Sequence, residues 1–295
     1  MSGRALFVGD VSLDLTMVVE HLPAPDEKVH VHAAVEAPGG VVANAAVACA
    51  LAGAPVSAWL RLGNDAAAEM VRASLAAAGI ALDAETAAGS TCRVVVILEP
   101  HGEKRLLLDP GVTMYPSVEW VRARSLDGIG WVHTAVYGAA ARDLAALCRT
   151  AGVPFSLDLE PATFADGFDA IADIAAGAET VFCNERAVGL LGPEGIDRLF
   201  AGGVRTVVRT LGPAGAEFRT PKGGFIVPAP SGIRIVDTTG GGDCLAGWFI
   251  AGRLAGKAGA EALEPAVTAA TLSCGRLGAQ ASYPTVAEVA KFRAA

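Results

Sequence analysis

Short apolar runs alternate with helix-like segments along most of the chain. The apolar runs predict buried strands at residues 4–9, 56–60, 131–133, 154–158, 180–183 and 206–209. The segments between them predict helices at residues 66–78, 140–150, 165–176 and 185–191. Alternation of this kind indicates βαβ crossovers and a mostly parallel sheet that is covered on both faces. Because there is no internal repeat or second core, residues 1–295 are predicted to form a single α/β domain.

A second pattern, with a period of two, occurs in the segments between these elements. Residues 28–36 alternate between two faces, which predicts a half-covered strand. Residues 93–98 and 104–108 also predict strands, joined by a turn around residues 101–103. The polar side chains on these strands that could face a ligand are His30, His32 and Arg93. Lone polar residues on a strand are more often solvated.

The composition is that of a folded globular domain. Of the 295 residues, 52% are apolar and 35 are glycine, which excludes a disordered chain. The net charge is −8 at pH 7 and no basic stripe is present, so nucleic acid is not an expected partner. A protein of this charge can still bind phosphate groups locally through backbone amides.

Cysteine usage and the first residues bear on the compartment. The six cysteines are scattered and form no Cys-x-x-Cys pair, as expected of a reduced protein with buried thiols. The chain opens on a strand-like run without the basic and apolar regions of a signal peptide. No apolar stretch approaches the ~20 residues that span a bilayer. We therefore expect a soluble, cytoplasmic protein that does not bind membranes.

The clearest chemical signal is the glycine-rich stretch at residues 235–247. Gly240, Gly241 and Gly242 lie between an apolar run and a helix-like segment that begins at Asp243. Glycine lets a ligand approach the backbone, and the unpaired N–H groups of a helix start bind anions, most naturally phosphate. A carboxylate beside a bound phosphoryl group could then act as a general base. The alternative is a glycine-rich helix start with Asp243 as an ordinary first-turn acid.

Two motifs, in this order along the chain, resemble the signatures of the ribokinase (PfkB) family of carbohydrate and nucleoside kinases. Residues 39–46, Gly-Gly-Val-Val-Ala-Asn-Ala-Ala, match the N-terminal signature. Residues 237–243, Asp-Thr-Thr-Gly-Gly-Gly-Asp, are similar to the C-terminal signature, with Gly241 where alanine is usual. The resemblance implies a ribokinase-like three-layer αβα sandwich with a mostly parallel central sheet. It also implies a small β lid, with strands from about 14–36 and 92–109 inserted over the substrate site.

The resemblance further implies an ATP-dependent sugar kinase that uses Mg²⁺ and often dimerises through the lid. Gly240, Gly241 and Gly242 would form the anion hole, and Asp243 would take the proton of the accepting hydroxyl, usually a primary one. The residues that would bind the sugar are Asp14, Gly39, Gly40, Asn44 and, more loosely, Arg93. A carboxylate or an amide suits this task because it pairs with hydroxyl groups. Read from the residues alone, Asp14 is better explained as a loop residue that caps locally.

Later segments resemble the family's nucleotide and metal elements. Asn184 and Glu185 match an element that organises Mg²⁺ and phosphate through water, but Ala187 stands where a second glutamate is usual. Asp158 and Glu160 could also lie near the transferred phosphate, although packing or capping is an equal reading. The resemblance assigns the ATP contacts to Asn184, Thr210, Gly212, Gly215 and Ser273.

The last part of the chain predicts a helix at residues 266–278. Its ending resembles the family segment that lines the adenine pocket and a monovalent-cation site, where potassium would stiffen the anion hole. The positions that fall on that cation site, besides Ser273, are Asp237, Thr239, Arg276, Gly278 and Ser282.

These observations favour an ATP-dependent kinase that acts on a sugar or sugar derivative. Two alternatives stay open, namely a nucleoside kinase of the same family and a non-catalytic sugar sensor that has kept the pocket. A P-loop NTPase and a dinucleotide-dependent oxidoreductase are disfavoured, because the chain has neither a Gly-x-x-x-x-Gly-Lys-Ser/Thr loop nor a Gly-x-Gly-x-x-Gly turn after its first strand.

Overall fold

A computed structural model describes residues 3–100, 104–112, 114–135 and 139–294. The strands are β1 (Arg4–Gly9), β2 (Ser12–Val19), β3 (Val31–Gly39), β4 (Val56–Leu62), β5 (Ala81–Thr86), β6 (Arg93–Leu98), β7 (Lys104–Asp109), β8 (Ile129–Ala135), β9 (Phe155–Asp158), β10 (Thr180–Cys183), β11 (Thr206–Thr210), β12 (Ala216–Thr220) and β13 (Gly223–Val227). The helices are α1 (Val41–Leu51), α2 (Ala66–Ala77), α3 (Val118–Arg122), α4 (Ala140–Ala151), α5 (Ala172–Ala175), α6 (Glu185–Leu191), α7 (Gly195–Ala201), α8 (Gly241–Leu254), α9 (Gly259–Ser273) and α10 (Val286–Arg293).

The central sheet has the order β13-β12-β11-β10-β9-β8-β1-β4-β5. Its strands from β11 to β5 pair in parallel, and β12 and β13 continue the sheet as antiparallel strands at one edge. One apolar core joins the sheet to α1, α2, α8, α9 and α10, and a second core on the opposite face joins it to α3 through α7. This confirms the predicted three-layer α/β sandwich.

A second, smaller sheet stands apart with the order β3-β2-β6-β7. Strands β6 and β7 confirm the strands predicted at 93–98 and 104–108; the turn predicted at 101–103 lies outside the described residues. The strand predicted at 28–36 is wrong in its bounds, since β3 begins at Val31 and continues to Gly39. It is also not half-covered, because every residue from Val31 to Glu36 is exposed. The side chains of this part of the lid are therefore open to solvent.

Two helix predictions are wrong. The helix predicted at 165–176 is replaced by a short 3₁₀ turn and the four-residue α5, because Gly167 takes φ 89° and breaks the chain direction. The tail helix predicted at 266–278 begins earlier, at Gly259, and ends at Ser273. It ends there because the chain leaves the helix to join the loop before α8: the Val236 N–H donates to the Cys274 carbonyl over 2.8 Å.

No described helix is both long and apolar enough to cross a bilayer.

Helices α1 and α8 approach each other closely through small residues. A Cβ on Gly247 of α8 would lie 2.3 Å from the carbonyl oxygen of Ala45 in α1 and 2.7 Å from the Cβ of Ala48. Only glycine permits this approach, since real Cβ atoms do not come so near to backbone oxygens. The contact fixes the separation of the two helices along their length and therefore the separation of their first turns.

We expect Gly247→Ala to lower the free energy of unfolding by about 1–3 kcal/mol, the usual cost of overpacking a tight contact. The matched control is Gly189→Ala in α6, where a Cβ would meet no atom within 4 Å. That substitution should be neutral or add up to about 1 kcal/mol through helix propensity. Urea denaturation of both variants checks this. Equal stability of the two variants would contradict the close contact.

Candidate active site

Polar residues gather where the parallel strands end. Asp10 follows β1 directly, Asp158 ends β9, Asn184 follows β10 and Thr210 ends β11. Carboxyl ends of parallel strands lie on one edge of the sheet, which is where open α/β folds bind ligands. Helices α1 and α8 begin there too, since their first turns meet through a side-chain hydrogen bond between Asn44 and Asp243.

The first turn of α8 has the form expected of an anion hole. Gly240 caps the helix in the left-handed conformation, φ 73° and ψ 4°, and a Cβ on it would lie 2.4 Å from the hydroxyl of Tyr283. The backbone N–H groups of Gly242 and Asp243 have no backbone acceptor among the described residues. Gly242 is exposed, and a Cβ there would meet open space. Free N–H groups and the positive end of the helix dipole therefore face an open volume, which favours an anion.

Asp243 stands in this first turn, and its carboxylate Oδ2 accepts a hydrogen bond from Asn44 Nδ2 over 2.8 Å. The pKa of Asp243 is raised to about 8, mainly because burial disfavours the charged form. The Asn44 hydrogen bond opposes this shift, whereas the charges of Glu160 and Asp10 add to it. An aspartate with a pKa in this range can take a proton near neutral pH, as a general base must.

Asp14 and Gly39 are diagonal neighbours in the β2–β3 pair of the lid, where Gly39 lies opposite Ser12 and Asp14 opposite Ala37. The Ser12 hydroxyl donates to Asp14 Oδ1 over 2.5 Å, and burial raises the pKa of Asp14. A Cβ on Gly39 would lie 2.0 Å from Asp14 Oδ2, so glycine is required for this carboxylate to occupy its position. Gly40 has φ 98° and caps α1. Arg93 is half-exposed and pairs with Asp65 at 3.5 Å, at the start of the lid rather than in the pocket floor.

Sequence reasoning missed Asp10. Its carboxylate accepts hydrogen bonds from the N–H groups of Val41 and Val42, over 2.7 and 3.0 Å, and so caps α1 although these residues are 31 and 32 positions away in sequence. Burial raises the pKa of Asp10 to about 6, against the effect of these two amides. Its place directly after a buried strand was the available signal.

Sequence reasoning also missed Lys104, the first residue of β7. Its ammonium group lies 3.4 Å from the Thr239 hydroxyl, next to the anion hole, and it lowers the pKa values of Glu160 and Asp243. The lid therefore brings a positive charge to the anion hole. A lysine at the start of a solvated strand carries no local signal of this position.

A cavity of about 620 Å³ opens beside the anion hole. Its lining joins Thr210, Gly212 and Gly215 to Gly241 and Gly242, residues that the sequence had predicted to act together. Its apolar wall is formed by Ile233, Leu245, Val267 and Ala270. The segment 229–233, which covers one side, was not predicted to take part. A volume and lining of this kind suit a small organic ligand with an anionic end.

Other predicted residues have mainly local partners. Asn184 caps α6 by accepting from the Ala187 N–H over 2.8 Å. Glu185 is exposed and pairs with Arg209 at 2.9 Å. Ser273 is buried and donates to the Ala270 carbonyl of its own helix. No group of three or more His, Cys, Asp or Glu side chains is placed to hold a metal in the described part of the chain.

The side chain of Asp237 ties the loop before α8 to the segment after α9. Its Oδ1 accepts from the Thr239 N–H and hydroxyl, and its Oδ2 accepts from the Gly278 N–H over 2.9 Å. Arg276 pairs with Glu288, and the Ser282 hydroxyl donates to the Ala279 carbonyl. Asp237, Thr239 and Gly278 are thus brought together, whereas the side chains of Arg276 and Ser282 have other partners. Backbone carbonyl groups are the ligands that this loop could offer to a cation.

We expect Gly240→Ala and Gly242→Ala to behave differently. Gly240→Ala should lower the free energy of unfolding by about 1–3 kcal/mol. An alanine at this position would have to adopt the left-handed backbone conformation, and its Cβ would clash with the Tyr283 hydroxyl. Gly242→Ala should keep the stability and instead weaken the thermal stabilisation given by inorganic pyrophosphate, because its methyl group would stand beside the free N–H groups. Urea denaturation and thermal shift measure the two effects. Equal loss of stability in both variants would contradict the different surroundings of the two glycines.

Comparison with known proteins agrees with this geometry. The pfkB family carbohydrate kinase model matches residues 3–286. The chain is 32% identical to an ATP-dependent ribose-1-phosphate kinase of Halopiger xanaduensis, covering 98% of this chain and 97% of the relative. It is 29% identical to a cytidine kinase of Thermococcus kodakarensis over 75% of this chain and 81% of that one.

The fold is also that of a solved enzyme. The structure of Arabidopsis thaliana ribokinase complexed with ribose and ATP superposes with a TM-score of 0.84 at 23% identity, covering 99% of this chain and 98% of that one. Because this family match covers nearly the whole chain, the chain belongs to the pfkB family of carbohydrate kinases.

Proposed function

We propose that this protein transfers the γ-phosphoryl group of ATP to a primary hydroxyl of a sugar, with ribose and ribose 1-phosphate as the leading acceptors. One observation carries the proposal: a carboxylate with a raised pKa stands in the same helical turn as free amides, beside a cavity of nucleotide size. The names of two relatives, a ribose-1-phosphate kinase and a ribokinase, support a pentose derivative as the acceptor.

In this mechanism Asp243 Oδ1 takes the proton of the accepting hydroxyl as its oxygen attacks the γ-phosphorus. A new phosphorus–oxygen bond forms, the bond to the bridging oxygen of ADP breaks, and ADP keeps that electron pair. The free N–H groups of Gly242 and Asp243 would hold the charge that develops on the transferred group. Lys104 would add a positive charge from the lid side. This division of tasks is typical of phosphoryl transfer, which is catalysed mainly by positioning and electrostatics.

Asp14, Gly39, Gly40 and Asn44 would position the sugar, with Arg93 at the rim. The cavity beside the anion hole would hold the nucleotide. Thr210, Gly212 and Gly215 line that cavity. Ser273, in α9, and Asn184, at the start of α6, are the other two residues that we propose as ATP contacts.

The residues of the site fit a magnesium ion that binds together with ATP better than an ion that is coordinated by protein side chains alone. Glu185 is exposed and already paired with Arg209, and no cluster of three ligands is present among the described residues. A bound Mg²⁺ would neutralise charge on the phosphate groups, and Glu185 is the residue that would help to hold it. A potassium ion would have to bind through carbonyl groups of the loops at residues 237–239 and 276–282.

The lid supports a homodimer. Leu106, Leu107 and Leu108 of β7 are each more than half exposed. Few other large apolar side chains among the described residues are exposed to this extent. Val31 and Val35 of β3 are exposed as well. An apolar surface of this kind is typical of a protein interface, and a second lid is the partner of matching chemistry.

We expect sedimentation equilibrium to give a dimer for the wild type and a monomer for Leu107→Glu, because a buried charge without a partner is costly. The matched control is Ile226→Glu on β13, at the far edge of the central sheet, where the side chain is 58% exposed. That variant should remain dimeric. A monomeric wild type, or dissociation of the Ile226 variant alone, would contradict pairing through the lid.

Two other functions remain as alternatives. A nucleoside kinase is favoured by the likeness to a cytidine kinase. A sensor without catalysis is favoured by Ala187 alone.

A cytoplasmic location agrees with a need for ATP and with six free cysteines, Cys49, Cys92, Cys148, Cys183, Cys244 and Cys274.

The test is ADP release from Mg·ATP with ribose, ribose 1-phosphate, other sugars and nucleosides. We expect turnover on a pentose derivative and a loss of at least ~100-fold in kcat for Asp243→Asn, the usual scale of general-base catalysis. Binding of the sugar should be retained. Replacing K⁺ by choline in the same assay tests the cation loop.

Each other outcome has a meaning. Turnover on nucleosides alone would favour the nucleoside kinase. Stabilisation by sugars without any turnover would favour the sensor. Full activity of Asp243→Asn would overturn the assignment of the base.

A further inference from the structure

Two side-chain amides form a chain of hydrogen bonds that ends at the carboxylate of Asp243. Asn44 Nδ2 donates to Asp243 Oδ2 over 2.8 Å, and Gln280 Nε2 donates to Asn44 Oδ1 over 3.0 Å. The three residues are 199 and 236 positions apart in sequence. They meet only because α1, α8 and the turn after α9 converge.

The direction of this chain is dictated by its acceptor. An ionised carboxylate can only accept hydrogen bonds, so Asn44 must present its NH₂ group to Asp243. The oxygen of Asn44 then faces Gln280, which must present its own NH₂ group. Gln280 Oε1 is left buried without a partner among the described residues. The glutamine therefore holds the orientation that serves Asn44 although its own oxygen is unpaired.

The turn that carries Gln280 is anchored on both sides. Gln280 begins a 3₁₀ turn that ends at Ser282, and the Tyr283 hydroxyl donates to the Gly240 carbonyl over 3.0 Å. Just before the turn, the Gly278 N–H donates to Asp237 Oδ2. The same short segment thus holds the loop of the anion hole and the amide beside the base.

We propose that Gln280 is a positioning residue that fixes the amide of Asn44, so that Asn44 stabilises the ionised form of Asp243 and leaves Oδ1 as the basic oxygen. No described donor bonds to Asp243 Oδ1, which agrees with this assignment. The inference rests on the proposed function for its consequence in catalysis, but the hydrogen-bond chain can be tested without turnover.

Other charged and titratable groups also act on Asp243, and the test must separate them from Gln280. They are Glu160 and Asp10, which raise its pKa, Lys104, which lowers it, and the neighbouring Asp158, Cys244 and Tyr283. A charged substitution at 280 would change the field at Asp243 directly. The informative variant is therefore Gln280→Met, which keeps the length, adds no charge and removes the donor.

The experiment follows the pKa of Asp243 by NMR in protein labelled with ¹³C at the aspartate carboxyl groups, with Asp243→Asn identifying the resonance. The wild type should titrate near pH 8. We expect Gln280→Met to raise this midpoint by about 0.5–1 pH unit, because a hydrogen bond that favours the charged form is weakened. Gln280→Ala should do the same and serves if the methionine variant does not fold. Ala281→Ser, at an exposed position in the same turn, should leave the midpoint unchanged.

The decisive comparison is made in an Asn44→Ala background. If Gln280 acts through Asn44, Gln280→Met should produce no further shift there. A shift of the same size would overturn the proposal, because it would show that Gln280 acts by another route. An unchanged midpoint in both single variants at 280 would overturn it as well, even if their turnover fell.

The pH profile of kcat/KM provides the catalytic readout. The base must be ionised, so kcat/KM should rise with pH to a plateau, and the rise should move to higher pH in Gln280→Met with a similar plateau. At pH 7 the variant should then be about 3- to 10-fold slower. A loss that is equal at every pH would indicate a merely structural role. A shifted NMR midpoint in a protein that phosphorylates nothing would refute the proposed function and leave the hydrogen-bond chain intact.

Discussion

The contact between α1 and α8 is the constraint on which the site depends. Both helices start at glycine caps, Gly40 and Gly240, at the same edge of the sheet. Asp10 accepts the first N–H groups of α1, whereas the first turn of α8 keeps free N–H groups. Their separation is fixed by the approach of Gly247 to the backbone of α1. Because Asn44 and Asp243 stand in the first turns of these helices, packing between the helices sets the distance between the proposed sugar-binding amide and the proposed base. Small residues in the core are therefore as necessary to the chemistry as the polar residues at the surface.

The electrostatics of the pocket follow from placing several carboxylates around one helix start. Asp10, Asp158, Glu160 and Asp243 all have raised pKa values, and burial is the largest cause for each. The opposing influences are local: two amides for Asp10, one side-chain amide for Asp243 and the ammonium group of Lys104. Such an arrangement costs stability, because buried carboxylates prefer to be neutral. It also holds the base near the pH at which a proton transfer is useful, and the approach of a cationic lid adjusts it further.

Much of this architecture could be predicted from sequence because its signals are local. The predicted bounds are correct for strands β1, β6 and β10 and for helix α6. Apolar runs and helix starts are determined by residues that are neighbours in sequence. The glycine caps were recognisable for the same reason. The segment 165–176 was mistaken for a helix because its composition hides the break at Gly167. Lys104 and Gln280 had no local signal at all. Their partners are 135 and 236 residues away, and only the packed fold brings them together.

The long reach of Gln280 has a consequence for how the protein is made. A nascent chain that has emerged as far as residue 260 already contains every strand of both sheets, the anion-hole glycines and Asp243. It still lacks the turn that orients Asn44 and the tyrosine that holds Gly240. During synthesis the sheet can therefore form well before the base is aligned. The proposed active site is completed by a segment that leaves the ribosome after all the described strands, so chemical competence arrives after the sheets and not with them.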